Sequence, residues 1–287
     1  MKATTAGMSI PIVLRLLRCL TRLIPPIPHA SGLSNRLIKP LACRLSRPGK
    51  VLANIWSIHG GVISMHVYPC EVVGGNLFFI PQLYGRWERR FLAENLPEGG
   101  VFVDVGGNIG AYTLWAAACM GPQSRIAVFE ADRENYDLLC ENIQANEFVG
   151  MVEPLHVGIS DREEVLSLSL NQNGNSGANS FSVVGAHFEE VACVPLCQAL
   201  KSVSLDRVDV LKVDIEGFEL RVLRRFFIDI AHTPDLAPRY LLIEIAGGPM
   251  STEEKRELHN LIIANGYQCV RVGENSLFRR CAASASS

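Results

Sequence analysis

Apolar residues follow two different periodicities along the chain, and segments of the two kinds alternate over most of its length. From residue 101 onward, short apolar runs alternate with segments in which apolar residues recur every three or four positions. The runs are typical of buried strands and the segments of amphipathic helices. Repeated strand–helix units predict a doubly wound α/β fold, in which helices cover both faces of a mostly parallel, Rossmann-like sheet.

Seven strands are expected in this sheet. Five of them should be parallel, at residues 101–105, 125–130, 152–159, 208–213 and 240–245. The last two, 267–272 and 276–280, follow each other without a helix between them, so we expect an antiparallel C-terminal hairpin. Residues 164–170 predict a further strand, before a loop rich in Asn, Gly and Ser at 171–179. Ligands of such folds bind at the carboxyl ends of the parallel strands.

The first 96 residues depart from this pattern. Residues 8–24 predict an amphipathic helix that Pro25-Pro26 ends, and a shorter helix is expected at 34–45. Two short strands, 62–68 and 76–80, are predicted with Gly74-Gly75 as a turn, before a helix at 84–96. We therefore divide the chain into a basic helical extension (1–50), a small β/helical lead-in (51–96) and the main domain (97–287).

Charge separates the extension from the rest of the chain. Residues 1–50 carry nine Lys or Arg, and no Asp or Glu precedes Glu71. The arginines of 8–24 fit a helix packed on the domain, which we favour, or a peripheral membrane contact through residues 8–47. The net charge of −2 gives no reason to expect a nucleic-acid partner. The oligomeric state is left open.

Cysteine usage and hydropathy bear on the cellular location. The nine cysteines include no CxxC pair, and several lie inside apolar runs, where Cys acts as a small apolar residue. This usage predicts a reducing compartment, the cytoplasm. No stretch approaches the roughly 20 apolar residues that a membrane span needs.

The most informative segment joins the first strand to its helix. It reads Val103-Asp104-Val105-Gly106-Gly107-Asn108-Ile109-Gly110. Its glycines do not have the G-x-G-x-x-G spacing that holds a dinucleotide. A carboxylate at Asp104 would repel a pyrophosphate and suits a cationic ligand. The alternative is a glycine-rich turn that serves packing alone.

Carboxylates follow two other strands. Glu130 ends the second strand, where an acidic side chain can bind both hydroxyls of a ribose. Asp214 and Glu216, with Lys212, lie where the fourth strand gives way to a helix. Close carboxylates raise each other's pKa, which is typical of functional sites. For Glu216 the alternative is a carboxylate favoured by the helix dipole.

Together these segments resemble the FkbM-type methyltransferases, which use S-adenosylmethionine and are usually O-methyltransferases. The resemblance covers roughly residues 84–246. It includes Tyr84-x-x-x-Glu88, the glycine loop, Phe129-Glu130, Leu139-x-x-Asn142 with Asn146, Ile159-Ser160-Asp161, Lys212-Val213-Asp214-Ile215-Glu216-Gly217 and Leu242-Ile243-Glu244-Ile245.

The resemblance implies a class I methyltransferase fold and a set of site residues. For the cofactor these are Asp104, Gly106, Asn108 and Gly110 at its methionine end, Glu130 at the ribose, Asp161 near the adenine, and Glu88. Asp214 and Glu216 would be catalytic, facing the acceptor or the amino group of the cofactor, and Glu244 would line the same edge. The chain departs from the family at Gly107 and Ala131, where Ala and Pro are usual, and an Asp expected near Cys197 is missing.

These features predict the transfer of a methyl group from S-adenosylmethionine to a hydroxyl of a small-molecule or glycan acceptor, on a sugar or natural-product scaffold. Asp214, Glu216, His156 or His187 could take the proton. No metal is required, although Asp214 and Glu216 could bind Mg²⁺. Two other functions stay open: a catalytically silent S-adenosylmethionine-binding module and a nucleotide- or NAD-binding enzyme, which the glycine spacing disfavours.

Overall fold

The computed structural model describes residues 12–22, 36, 38–46, 49–58, 61–170, 180–181, 188–246 and 248–281. Before the main sheet, the elements are α1 (Ile12–Arg22), α2 (Lys39–Ser46), β1 (Val51–Ile58), β2 (Gly61–Val67), α3 (Val72–Phe79) and α4 (Arg86–Asn95). The first part of the main domain contains β3 (Val101–Val105), α5 (Ala111–Cys119), β4 (Arg125–Glu130), α6 (Arg133–Ala145), β5 (Val152–His156), β6 (Gly158–Ser160), β7 (Glu164–Ser169) and β8 (Phe188–Pro195). The rest consists of α7 (Leu196–Ser202), β9 (Val210–Val213), α8 (Glu219–Ile230), a 3₁₀ turn (Pro234–Leu236), β10 (Tyr240–Glu244), α9 (Thr252–Ala264), β11 (Tyr267–Arg271) and β12 (Asn275–Arg280).

A seven-stranded sheet forms the centre of the molecule, in the order β11-β12-β10-β9-β3-β4-β5. Strands β10, β9, β3, β4 and β5 are parallel, and β12 is antiparallel to both β10 and β11. This confirms the doubly wound α/β fold with a C-terminal antiparallel hairpin. The chain runs outward from β3 to β5 and then returns to β9 on the other side of β3. The point between β3 and β9 is therefore the topological switch, where ligands of such sheets bind.

Two apolar layers cover the sheet. On one face, α5 and α6 share a core with the N-terminal helices and with the β1–β2 hairpin; Leu14, Phe78 and Leu139 are among its buried side chains. On the other face, α7, α8 and α9 bury residues that include Leu200 and Phe226. The extension and the lead-in thus pack on one face of the main domain, although the proposed boundaries between the three parts stay predictions.

Two asparagines of α6 attach the hairpin to the main domain. Asn142 is fully buried; its Oδ1 accepts a hydrogen bond from the main-chain N–H of His66 at 2.6 Å, and its Nδ2 donates to the carbonyl of Ile109 at 2.9 Å. Asn146 accepts from the N–H of Ser64 and donates to the carbonyl of the same residue, at 2.9 and 2.7 Å. These amides satisfy main-chain groups at the edge of β2, which would otherwise lack partners.

Two predictions for the lead-in are wrong. Residues 76–80 are not a strand and Gly74-Gly75 is not a turn, because residues 72–79 form α3. A Cβ on Gly74 would lie 2.4 Å from the carbonyl oxygen of Tyr68, and one on Gly75 would lie 2.8 Å from that of Pro69. The glycines therefore let a helix pack against the preceding turn, and the hairpin partner of β2 is β1.

The predicted third strand, 152–159, is divided between two sheets. Strand β5 pairs with β4, whereas β6 pairs with β8 in a small three-stranded sheet of order β6-β8-β7. Strand β8 and helix α7 were not predicted. The predicted loop at 171–179 lies outside the described residues.

Cys43 in α2 and Cys70 after β2 form a disulfide, which the sequence did not lead us to expect. A disulfide is uncommon in a reducing compartment, so this pair weakens the reasoning behind the cytoplasmic location, which stays a prediction. Within the described residues, no helix has both the length and the apolar character needed to span a bilayer.

Candidate functional site

A cavity of about 960 Å³ opens at the carboxyl ends of β3, β4, β9 and β10. Its wall is acidic. Among the described residues, six carboxylates line it, against three basic side chains. The carboxylates are Glu88, Glu130, Asp214, Glu216, Glu244 and Glu274, and the basic residues are Arg86, Arg90 and Lys212. A cavity of this charge favours a cationic ligand over an anionic one.

The loop after β3 forms one side of the cavity, and its backbone packs directly on a neighbouring strand end. Gly106 has a φ of 83°, and a Cβ at this position would lie 1.9 Å from the carbonyl oxygen of Asp214. The N–H groups of Gly106 and Gly107 both donate to the carbonyl of Phe129, at 2.9 and 3.1 Å. Gly110, with a φ of 92°, is the N-cap residue of α5. Only glycine combines this close contact with a left-handed backbone.

Glu130 joins the glycine loop to the loop after β4. Its carboxylate accepts hydrogen bonds from the N–H groups of Asn108 at 2.6 Å and Asp132 at 2.9 Å. Burial raises the pKa of Glu130 to about 7, against the lowering effect of these two hydrogen bonds. The carboxylate is therefore held in one orientation at the cavity wall, with its remaining lone pairs available to a ligand.

Lys212 lies beneath the cavity between two carboxylates. Strand register places it beside Asp104 on β3, and its ammonium is 3.5 Å from Asp104 Oδ1 and 3.0 Å from Asp214 Oδ2. Burial alone would lower the pKa of Lys212, but the Asp214 and Asp104 carboxylates raise it above its ordinary value. Lys212 is therefore a fixed positive charge that orients Asp214 toward the cavity.

Three carboxylates crowd together beyond Lys212. Asp214, Glu216 and Glu244 each offer one oxygen atom, and these atoms lie within 4.8 Å of one another. Burial, followed by the Asp214 charge, raises the pKa of Glu216 to about 7 and that of Glu244 to about 9. At neutral pH the cluster therefore keeps at least one proton. The spacing of the oxygens also suits a divalent cation with oxygen ligands.

Comparison with known proteins identifies the family of the chain. The model of the methyltransferase FkbM domain matches residues 104–269, which include the glycine loop, Glu130 and the three crowded carboxylates. The chain belongs to the FkbM family of methyltransferases.

The curated relatives are methyltransferases as well. Over 160 residues, 45% of this chain, the sequence is 29% identical to "Methyltransferase sdnD" of Sordaria araneosa. Over 135 residues, 47% of this chain, it is 29% identical to "Hexuronic acid methyltransferase AglP" of Haloferax volcanii. The matches span 61% and 53% of the length of these two relatives. The solved structure of methyltransferase FkbM from Methylobacillus flagellatus aligns over 71% of this chain and 53% of its own, with a TM-score of 0.43 and 14% identity.

Most of the residues expected at the FkbM site lie together. Glu88, Gly106, Asn108, Glu130, Asp214, Glu216 and Glu244 line the cavity. Gly110 is the N-cap residue of α5, behind the glycine loop, and is not part of the cavity lining. What each residue binds stays a prediction, but the structure brings these parts of the chain to one place.

Asp104 and Asp161 lie outside the cavity wall. Asp104 is 1% exposed, and its Oδ2 accepts from the hydroxyl of Thr113 at 2.7 Å, so it supports Lys212 and does not face a ligand directly. Burial alone would raise the pKa of Asp161, but its hydrogen bond from Arg221 Nε, at 2.6 Å, lowers it. Asp161 therefore belongs to an ion pair with α8 and is absent from the cavity lining, and its expected place near an adenine stays a prediction.

The two histidines considered as proton acceptors are not part of the described site. His156 Nε2 lies 3.0 Å from the carbonyl oxygen of Ala131 and is absent from the cavity lining. His187 lies outside the described residues.

Sequence reasoning missed several lining residues, and three of them lie close to predicted site residues. Tyr112 in α5 packs against Tyr84, with the ring centroids 6.0 Å apart, and its ring also contacts Lys212. Glu274 and Asn275 reach the cavity from the C-terminal hairpin, and Asn275 Nδ2 donates to Glu88 Oε1 at 3.2 Å. Strand register sets Asn275 opposite Glu244. The predicted hairpin was the only sequence signal for these two residues, and its register was unknown.

Proposed function

We propose that this FkbM methyltransferase transfers the methyl group of S-adenosylmethionine to a hydroxyl of a sugar, glycan or natural-product scaffold. The observation that carries the proposal is the acidic cavity beside the glycine loop, at the switch point of the sheet. S-adenosylmethionine has a sulfonium and an ammonium group and no phosphate, so its charge is complementary to this wall.

The residues present fit such a cofactor. Gly106 lacks a side chain where the loop meets Asp214 at the end of β9, so the loop can pack against that strand end while its backbone lines the cavity. Glu130, at the cavity wall, would accept hydrogen bonds from ribose hydroxyls. Beyond it, Val157, Ile159 and Phe181 give the cavity an apolar wall on which a flat aromatic ring can lie. Asp104 would act indirectly, by holding Lys212.

The cofactor would supply an electrophilic methyl group on a positively charged sulfur, which an oxygen nucleophile displaces in line. The protein would mainly hold the two reactants in the correct geometry. Glu216, with its pKa raised to about 7 by burial, is suited to take the hydroxyl proton near neutral pH. Glu244, with a pKa of about 9, would stay protonated there and donate a hydrogen bond. Asp214, 3.0 Å from the Lys212 ammonium, would be oriented by that ion pair.

Two arginines suggest an acidic acceptor. Arg86 and Arg90 line the cavity from α4 and are both exposed, which places them at its mouth. A guanidinium binds a carboxylate in a bidentate manner. Since one relative is named a hexuronic acid methyltransferase, a uronic acid is the acceptor class that we would test first.

The test has two stages. Calorimetry with S-adenosylmethionine should show binding that Glu130→Ala abolishes and that Glu134→Ala, an exposed glutamate in the next helix, leaves unchanged. Methyl-labelled cofactor is then offered with panels of uronic acids, neutral sugars and polyketides, and products are detected by mass spectrometry. Binding of NAD in place of S-adenosylmethionine would reject the proposal, and cofactor binding without transfer to any acceptor would favour a silent binding module.

A further inference from the structure

The inner side of α1 holds this helix on the body of the protein. Leu14 and Thr21 are buried, and the Thr21 hydroxyl donates to the carbonyl of Phe79 at the end of α3. The guanidinium of Arg18 lies over the ring of Phe78, 4.7 Å from its centroid, and Arg22 donates to the carbonyl of Asn54 at 2.9 Å. The position of α1 is therefore set by a narrow strip of contacts on one side.

The opposite side of α1 is apolar and faces outward. Ile12, Leu16 and Leu20, spaced at i, i+4 and i+8, are 76%, 60% and 64% exposed. Residues at this spacing form one stripe along a helix. A surface helix ordinarily turns its apolar stripe toward the core. Here the stripe points away from the core, which requires an explanation other than folding stability.

Helix α2 extends this apolar surface. It contacts α1, and its Leu41 and Leu45, at i and i+4, are 48% and 60% exposed. The Cys43–Cys70 disulfide ties α2 to the end of β2. We name as the N-terminal apolar face the exposed side chains Ile12, Val13, Leu16, Leu20, Leu41 and Leu45.

The surroundings of this face are cationic. Arg15 lies along one flank of the stripe on α1, as a turn of 100° per residue requires, and Arg44 lies beside Leu45 on α2. Both are exposed. No acidic residue occurs in the sequence before Glu71, so the face has only positive charge from its own segment. Its charge is complementary to an anionic surface.

We propose that the N-terminal apolar face binds an anionic lipid bilayer, with α1 and α2 lying parallel to the membrane plane. An apolar stripe flanked by Arg is the pattern of helices that insert at the boundary between headgroups and acyl chains. Arginines at the flanks can extend to lipid phosphates while their methylene groups stay with the apolar side chains. The methyltransferase would then act beside a membrane, where acceptors attached to lipids are concentrated.

Vesicle co-sedimentation tests this surface without any need for methyl transfer, so its outcome is independent of the proposed function. We expect the full chain to bind phosphatidylcholine vesicles that contain roughly a third phosphatidylserine, and to bind pure phosphatidylcholine far less. The double variant Leu16→Ser/Leu20→Ser should bind at least about tenfold more weakly, because two exposed apolar side chains no longer enter the bilayer. Arg15→Gln and Arg44→Gln should each weaken binding about fivefold on anionic vesicles only.

The matched control is Val272→Ser, at a distant apolar position that is 78% exposed, and it should bind as the wild type does. Thermal melts should be unchanged in all these variants, because none of the side chains is buried. Equal binding to neutral and anionic vesicles, or wild-type binding by Leu16→Ser/Leu20→Ser, would overturn the proposal. So would a dimer in sedimentation velocity that this double variant dissociates, together with no vesicle binding, because the face would then be covered by a second copy.

Discussion

Replacing Lys212 by Met tests whether the charge pair beneath the cavity is organised as described. The variant keeps most of the side-chain volume but removes the ammonium that lies 3.5 Å from Asp104 Oδ1. Asp104, which is almost fully buried, then keeps only the Thr113 hydroxyl as a side-chain partner among the contacts described. Removing one partner of a buried pair costs about 3–5 kcal/mol of unfolding free energy. For a chain of this size that corresponds to a decrease in Tm of roughly 6–10 °C.

The loss should depend on pH. Burial already raises the pKa of Asp104 above its ordinary value, and Lys212 counteracts this rise. Without Lys212, the pKa of Asp104 in the folded protein is higher still. A carboxyl whose pKa is higher in the folded state than in the unfolded state stabilises the fold by its full amount below the unfolded-state pKa. This stabilisation is lost as the pH rises through the folded-state pKa. Lys212→Met should therefore be closer to the wild type at pH 4.5 than at pH 8.

Urea unfolding followed by tryptophan fluorescence at both pH values measures the effect. Lys201→Met, at an exposed position in α7, is the control and should stay within about 0.5 kcal/mol of the wild type. Adding Asp104→Asn to Lys212→Met should restore part of the stability, because no charge is then left buried alone. An equal loss at both pH values, or simple additivity of the two substitutions, would refute this account of the pair.

Three further outcomes are expected. Gly106→Ala should abolish S-adenosylmethionine binding and lower the Tm much more than Gly150→Ala does. Both positions have left-handed backbones, but only at Gly106 would a Cβ meet a carbonyl oxygen. Similar Tm values for the two variants would show that the close contact is unimportant. In the wild type, kcat/KM should rise with pH through about 7 as Glu216 loses its proton. Glu216→Gln should lack this rise in the pH profile and be about 10²–10⁴-fold slower. An unchanged pH profile in the variant would exclude Glu216 as the base. Asp132→Ala should cost about 1 kcal/mol in urea unfolding, because the Asp132 carboxylate caps α6 by accepting from the N–H of Asn135; a loss of a few tenths would mean that the cap contributes little.

The central strands and their order along the chain could be predicted because each is a continuous apolar run bounded by turn residues. Helix caps are local features of the same kind: Ser251 and Glu254, three residues apart, form a capping box at the start of α9. The glycine loop was identified from its glycines and its place between a strand and a helix, and the contact of Gly106 with Asp214 explains why a glycine is needed there. These features depend on residues that are close together in sequence.

Other features depend on contacts between distant segments, and the sequence did not reveal them. Gly74 and Gly75 have the composition of a turn, yet they lie inside α3 because the turn at Tyr68 packs against them. Asp104 has the position of a ligand residue, yet strand register turns it toward Lys212. Asn275 reaches Glu88 only because of the register between β12 and β10. In each case a pairing across the fold overrides the local pattern.

The electrostatics of the cavity explain why a cationic donor suits it better than a dinucleotide. Lys212 is already engaged by Asp104 and Asp214, so its charge gives little attraction to an added anion. Glu216 and Glu244 have raised pKa values because burial and the Asp214 charge oppose their ionisation. A positively charged ligand stabilises the ionised carboxylates and so lowers their pKa values. Its binding is therefore accompanied by the release of protons. A pyrophosphate would raise the pKa values of these carboxyls further, so its binding would require the uptake of protons. The charge of the wall therefore favours a cationic ligand over a dinucleotide, in agreement with the cofactor that we propose.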